Sequence, residues 1–364
     1  MHFVLQTNRK TEPVLSQKDT ITLAVIMLLI IVLGVLGIVA VFGAKSPGIV
    51  LEPVAETTYI AETEEETEEE TEPTEDPMAV FYPEPAADMV VIPEENLVAQ
   101  HAVLIDVDNN QMLAVKGNAD DEIYPASMTK LMTLIVAIEN VEDVDSTFTI
   151  TGDLLQPLWA QSASMAGFAD GETVTFTDLL YGAALPSGAD ATQGLAMMVA
   201  GSDEAFVQMM NDKAAELGLK HTHFVNTSGL HDENHYSTPE DIALIMEYCL
   251  KNELCKEVIS TYKYTTSKTE QNPNGIELTS TMFNKMYGNE VPGITIGGGK
   301  TGYTDEAGQC LASYAETPDG HLYVAVTSKG AGKFTTVFDA FKLYGIVTGT
   351  YAMDQSDPAA EYRQ

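Results

Sequence analysis

Ser127 and Lys130, in the run Tyr124-Pro125-Ala126-Ser127-Met128-Thr129-Lys130, stand three residues apart at the head of the apolar stretch 131–138. On one helix that spacing puts both side chains on one face, where an amine can hydrogen-bond the hydroxyl and take its proton. The chemistry predicted is a serine nucleophile with its own base. Pro125 suits the start of a helix, which leaves Ser127 in the first turn, where unpaired N–H groups and the positive end of the dipole favour an oxyanion. S-x-x-K alone is common on surface helices, but two further segments narrow the reading. One is Ser187-Gly188-Ala189-Asp190, after the apolar run 179–185 and Pro186; the other is Gly297-Gly298-Gly299-Lys300-Thr301-Gly302-Tyr303-Thr304.

In this order the three segments follow the pattern S-x-x-K, S-x-N, K-T-G, with Ala189 where the asparagine would stand. Over residues 97–350 the chain resembles the D-alanyl-D-alanine carboxypeptidases, the low-molecular-weight penicillin-binding family of serine peptidases. The resemblance also covers an opening hairpin, the loop 224–230 and the run Lys300-Thr301-Gly302-Tyr303-Thr304-Asp305-Glu306-Ala307-Gly308. It implies an antiparallel sheet flanked by helices, a helical subdomain, and an active site between the two. The implied activity is removal of the terminal D-alanine from peptidoglycan stem peptides, with β-lactams as inhibitors and no cofactor or metal. Carried over by position, Ser127 would form the acyl-enzyme and Lys130 would be the base, kept neutral by burial and by a second cation, a place Lys300 fits. Ser187 would relay the proton to the leaving D-alanine, and Lys300 with Thr301 would hold the substrate carboxylate. Gly302 would let the substrate backbone lie close, while the N–H of Tyr303 and that of Ser127 would form the oxyanion hole. Ala189 has no hydrogen-bonding side chain, so reduced or altered activity is expected, not its absence.

Three other readings compete. A β-lactamase-like hydrolase shares the first and third motifs, but the string E-x-x-L-N that serves its deacylating water is missing. A catalytically weakened wall-binding homologue is motivated by Ala189 and opposed by the intact Ser127, Lys130 and Lys300. His221, His223, His231 and His235 raise a metallopeptidase, yet His231-Asp232-Glu233-Asn234-His235 lacks the H-E-x-x-H order and follows Gly229 in loop-like sequence.

The flanking sequence predicts placement. Residues 21–44 carry no charge and are long enough, at about 1.5 Å per residue, to cross about 30 Å of hydrocarbon. Their length and Phe42 near the end of the run favour an uncleaved transmembrane helix over a signal peptide. Arg9, Lys10 and Lys18 precede the span and only Lys45 follows it closely, so 1–20 is expected in the cytoplasm and the catalytic part outside the cell membrane. Residues 45–96 are rich in acid and proline, with 16 acidic side chains in 52–96, and are expected to be a disordered spacer. Of the formal charge of −36, residues 52–96 supply −16 and the 51 residues before them +2, so the remainder carries −22. Nucleic acid and anionic lipid are poor partners for it. The three cysteines, Cys249, Cys255 and Cys310, read as small buried residues, because a six-residue spacing does not bring two of them to one helix face.

The fold class predicted is α+β. Residues 102–107 and 111–115 flank Asp108-Asn109-Asn110 as a hairpin, and 308–315 and 321–328 flank Thr317-Pro318-Asp319-Gly320 as another. Between them lie helices from Ser127, from about Thr177, over 192–200, from Ser202 to Leu217 and from Thr238 to about Leu250, with loop-like sequence up to Gly171. A last helix spans 335–344, and 351–364 is a tail.

Overall fold

The structure, a computed structural model, describes residues 78–286 and 291–351. The chain divides after Glu70, and every described residue belongs to the second unit. Residues 1–20, expected in the cytoplasm, the apolar span 21–44, most of the acidic spacer and the tail beyond 351 lie outside the described residues. Among those described, no helix is long and apolar enough to cross a membrane.

Strand alternation sends neighbouring residues to opposite faces of a sheet, and here both faces are apolar. In β2 (His101–Asp106) Val103 and Ile105 join one core while Ala102 and Leu104 join another. The same division recurs in β9 (Gly308–Glu316), with Ala312 and Tyr314 on one face and Leu311 and Ala315 on the other. The sheet is therefore the middle layer. It has six strands in the order β1-β3-β2-β10-β9-β8, with β1 at Glu84–Val91, β3 at Gln111–Lys116, β8 at Thr295–Thr304 and β10 at Leu322–Gly330. All pairings are antiparallel except that of β1 with β3, so the all-antiparallel expectation is corrected at that edge. The spacer reading of 45–96 also extends too far. Glu84–Val91 carries the buried Ala86 and also Met89 and Val90, which pack on the cores, and it pairs along β3, with Ile92 and Leu97 buried beyond it.

Between β3 and β8 runs the helical part: α1 (Lys130–Asn140), α2 (Gly152–Ala160), α3 (Phe176–Ala184), α4 (Ala189–Ala200), α5 (Asp203–Glu216), α6 (Pro239–Lys251), α7 (Glu253–Ser260) and a short α8 (Phe283–Met286). Two small hairpins interrupt it, β4 (Thr147–Thr149) with β5 (Thr173–Thr175), and β6 (Lys263–Thr265) with β7 (Glu277–Thr279). Caps set the boundaries. Thr175 and Asp178 form a capping box on α3, Ser202 caps α5, and Thr238 caps α6 with Pro239 in its first turn. After β10, α9 (Thr335–Thr348) covers the face of the sheet that carries Leu104, Leu311 and Ala325.

Three local expectations change. Ser127 lies in a 3-10 turn, Ala126–Thr129, and the α-helix proper starts at Lys130. α2 falls in sequence read as loop; Thr151 caps the helix by accepting from Leu154 N, and Pro157 lies inside it. Cys249 and Cys255 form a disulfide, with Cα atoms 5.5 Å apart. They sit on different helices. Asn252 is extended between α6 and α7, and its side chain accepts from Cys255 N at 3.0 Å, so the chain turns back there.

Asp339 of α9, fully buried, accepts from the N–H of Val98 and of Ala99 at 2.9 and 2.7 Å, tying the chain before β2 to the last helix. Asp339→Ala strands both donors and should cost about 2–4 kcal/mol, read as a lower urea midpoint with an unchanged slope.

Candidate active site

The turn that carries Ser127 is held between two segments distant in sequence. β8 is the edge strand, and its Gly302 approaches the turn closely: a Cβ built there would lie 3.0 Å from Pro125 O and 3.1 Å from Ser127 N. On another side is the loop 224–232, where Gly229 has φ +78° and a built Cβ would fall 1.8 Å from Ala126 O. Only glycine permits that contact. The loop is shaped by Asn226, whose Oδ1 accepts from the N–H of Ser228 and of Gly229 at 3.1 and 2.7 Å, while its Nδ2 donates to Leu230 O at 2.9 Å.

Within this frame Lys130 Nζ donates to Ser127 Oγ at 3.1 Å and to the Ser228 carbonyl at 2.6 Å. Ser127 Oγ itself lies 3.4 Å from that carbonyl. Lys130 is 2% exposed, and burial brings its pKa down to about 7, although Asp190 acts in the opposite direction. A base of that pKa is substantially neutral at physiological pH. Asp190 stays apart from the amine because its carboxylate accepts from the N–H groups of Ala166, Gly167 and Phe168.

A second serine–lysine pair faces the first. Ser187, in the turn between α3 and α4, has φ +69°, a backbone strain often found at functional sites. It accepts from Lys300 Nζ at 2.9 Å, and the same amine donates to Thr301 O at 2.9 Å. Lys300 is 1% exposed, and its pKa is held well below the usual lysine value by burial first, then by Lys130 and Lys285. The repulsion between the two amines thus registers on Lys300, whereas for Lys130 burial is the cause. Thr301 shares a 2.6 Å hydrogen bond with Thr281. Tyr303 is 56% exposed at the rim, and its hydroxyl donates to Asp305 at 2.7 Å. Ala189 is buried as the first residue of α4, and its N–H donates to Ser164 O.

The structure therefore brings Ser127, Lys130, Ser187, Lys300, Thr301 and Gly302 together, with Tyr303 exposed beside them. Ser228, Asn226 and Thr281 are positioning groups that the motifs do not mark; a polar N-x-S-G string was the one visible hint for the first two. Three of the four histidines, His223, His231 and His235, have ring partners of their own. His235 is buried; its Nδ1 accepts from Val225 N, which leaves Nε2–H to donate to Thr129 Oγ1 at 2.7 Å, and burial lowers its pKa to about 4. His223 bonds the Asn234 carbonyl, and His231 lies edge-on to Tyr124.

Residues 88–329 match the peptidase S11 family, described as D-alanyl-D-alanine carboxypeptidase. The chain belongs to this family. It is 35% identical over 218 residues to D-alanyl-D-alanine carboxypeptidase DacF of Bacillus subtilis (strain 168), an alignment covering 60% of this chain and 54% of the relative. With DacA of Escherichia coli (strain K12) the identity is 32% over 238 residues, 63% and 55% of the two chains. The chain thus spans about half the length of the curated relatives it matches. Among solved structures it is similar to the Streptomyces K15 DD-transpeptidase, with TM-score 0.64 and 29% identity over 71% of this chain and all of that one. Penicillin-binding protein 5 from Haemophilus influenzae gives TM-score 0.61 and 26% identity, covering 70% and 71%.

Asn226→Ala removes the bonds that fix the Ser228 carbonyl. It should slow acylation by a fluorescent penicillin about tenfold or more while lowering stability by only about 1–2 kcal/mol, measured by stopped flow and thermal unfolding.

Proposed function

We propose that this chain is a serine-type carboxypeptidase that removes the terminal D-alanine from peptidoglycan stem peptides through an acyl-enzyme on Ser127, and that β-lactams acylate the same hydroxyl. The observation that carries the reading is the pair of lysine–serine hydrogen bonds, 3.1 Å at Lys130–Ser127 and 2.9 Å at Lys300–Ser187, made by two buried amines. Neutral Lys130 takes the Ser127 proton as Oγ attacks the penultimate carbonyl. The oxyanion is met by N–H groups of Ser127 and Tyr303. The proton then passes by way of Ser187 to the leaving amine, and water later cleaves the ester with Lys130 again as base. Lys300 and Thr301 hold the free carboxylate. An anion placed against Lys300 raises the pKa of that amine and restores its charge, which in turn favours the neutral form of Lys130.

The chain is further proposed to sit in the cell membrane through residues 21–44, with the catalytic unit outside. The uncharged span and the basic residues before it motivate this, and the Cys249–Cys255 disulfide suits an oxidising compartment.

Incubation with penicillin should add one penicilloyl group to the intact protein, mapped to Ser127 and absent in Ser127→Ala. The acylation rate should fall about tenfold per pH unit below the Lys130 pKa of about 7 and level off above it, because only the unprotonated amine can accept the proton. No adduct on the folded wild type at pH 8 would sink the reading and favour a weakened wall-binding homologue.

A further inference from the structure

His235 belongs to none of the three motifs, is 2% exposed, and joins two backbone segments that meet at Ser127. Its Nδ1 accepts at 3.2 Å from the N–H of Val225, in the loop that delivers the Ser228 carbonyl. Across the ring, Nε2 lies 2.7 Å from Oγ1 of Thr129, the last residue of the 3-10 turn and the neighbour of Lys130. Phe224 packs edge-on against the ring, with centroids 5.5 Å apart. Thr133 of α1 makes a second link to the same loop, donating to Thr227 O at 2.7 Å. Close to the first link the loop passes through Gly229, where a built Cβ would fall 2.9 Å from Thr129 Oγ1.

This bonding fixes the state of the ring. A backbone N–H can only donate, so Nδ1 must offer its lone pair and Nε2 must carry the proton. A second proton on Nδ1 would confront the Val225 N–H and undo the bridge. The surroundings oppose that proton: burial acts first, His223, His231 and Lys130 act in the same direction, and Asp232 acts against them. The charge of Lys130 is therefore felt at the ring, as its place next to Thr129 requires.

The ring bonds go to Val225 and Thr129 and not to Ser127 or Lys130, so His235 takes no proton from the reaction. We propose that His235 is a positioning residue for the serine–lysine pair: it clamps the loop to the turn, sets the place of the Ser228 carbonyl and keeps water from Lys130. The inference rests on the acylation of Ser127 and deepens it. Without the imidazole, Val225 N–H and Thr129 Oγ1 are stranded and a hole opens beside the turn. Water drawn to those two polar groups favours the ammonium form of Lys130 and raises the pH at which the base becomes competent. A side chain that merely filled space would lower stability and leave that pH unchanged.

The test is the pH profile of penicillin acylation, measured on the full chain in detergent. His235→Ala should raise the midpoint by about one pH unit from the wild-type value of about 7. Acylation at pH 7 should then slow about fivefold, as the neutral share of the base falls from about a half to about a tenth. In His235→Gln the amide can donate to Thr129 and the carbonyl can accept from Val225, which should bring the midpoint back to within about a third of a pH unit of the wild type. Asp339→Ala loses stability through α9 and should leave the midpoint where it is. Thr129→Val keeps the shape and removes the acceptor; its midpoint should rise by about half a pH unit, and it decides the matter if His235→Ala does not fold. An unmoved midpoint, an equal rise in Asp339→Ala, or a rise in His235→Gln as large as in the alanine variant would overturn the proposal. If the wild type takes up no penicillin, the acylation reading fails and the clamp is judged on the Lys130 amine itself, by NMR titration of isotope-labelled lysine. Its midpoint must still rise in the same variants, and an unchanged one would overturn the role given to His235.

Discussion

Everything at this site depends on keeping two ammonium-forming side chains out of water without giving either a carboxylate partner. Moving a lysine into a buried site disfavours its charge, and proteins usually answer with an acid. Lys116 of this chain shows the usual answer: it donates to the carbonyls of Glu94 and Leu97 and has the Glu94 carboxylate 3.4 Å away. Lys130 and Lys300 receive hydroxyls and backbone carbonyls instead. Such acceptors orient an amine without committing it to a charge. Asp190 could neutralise the arrangement, but its oxygens are engaged by the backbone N–H groups of Ala166, Gly167 and Phe168. It contributes field to Lys130 and not a salt bridge.

That electrostatic state demands a rigid frame, since small displacements would admit water and restore the lysine charge. The frame comes from contacts far apart in the chain. Gly229 and Gly302 allow two backbones to close on the turn at Ser127. The β6–β7 hairpin is pinned to the helical part by two acids: Glu172 accepts from Thr269 and Asn272, and Asp178 accepts from Tyr264 and from Ser267 N. The chain leaving that hairpin donates from Thr281 N to Leu185 O and then reaches Thr301 with the Thr281 hydroxyl. The Lys300–Thr301 end of the site is thereby coupled to the turn that carries Ser187.

Much of this was legible in the sequence, for reasons that also explain what was not. Ser127, Lys130, Ser187 and Lys300 stand in short motifs because their side-chain chemistry cannot be replaced, and the hairpins and capped helices announce themselves by local turn residues and periodicity. The Ser228 carbonyl is a backbone atom, so no residue type advertises it. Strand β1 follows closely on the acidic run, which hid its apolar residues Ala86, Met89 and Val90. The disulfide was hidden because helix geometry was assumed to continue through Asn252, where the chain turns between α6 and α7. α2 lies in sequence that reads as loop, and it is a helix of nine residues with Pro157 inside it.

Ala189 can be weighed in the same terms. If the middle motif served mainly to hold the frame, losing its amide would disturb Ser187, yet Ser187 keeps its left-handed backbone and its bond to Lys300. The turn is maintained by other means. A Cβ built on Gly188 would lie 2.6 Å from both Ala166 N and Asp190 Oδ1, so the tight path of the chain there depends on glycine and on the Asp190 bonds. What a methyl group at 189 removes is a hydrogen-bonding side chain near Ser187, not a support of the nucleophile or its base. On the proposed reading, the consequence of Ala189 therefore falls on how a peptide is gripped and not on the activation of Ser127, whose base and frame are intact.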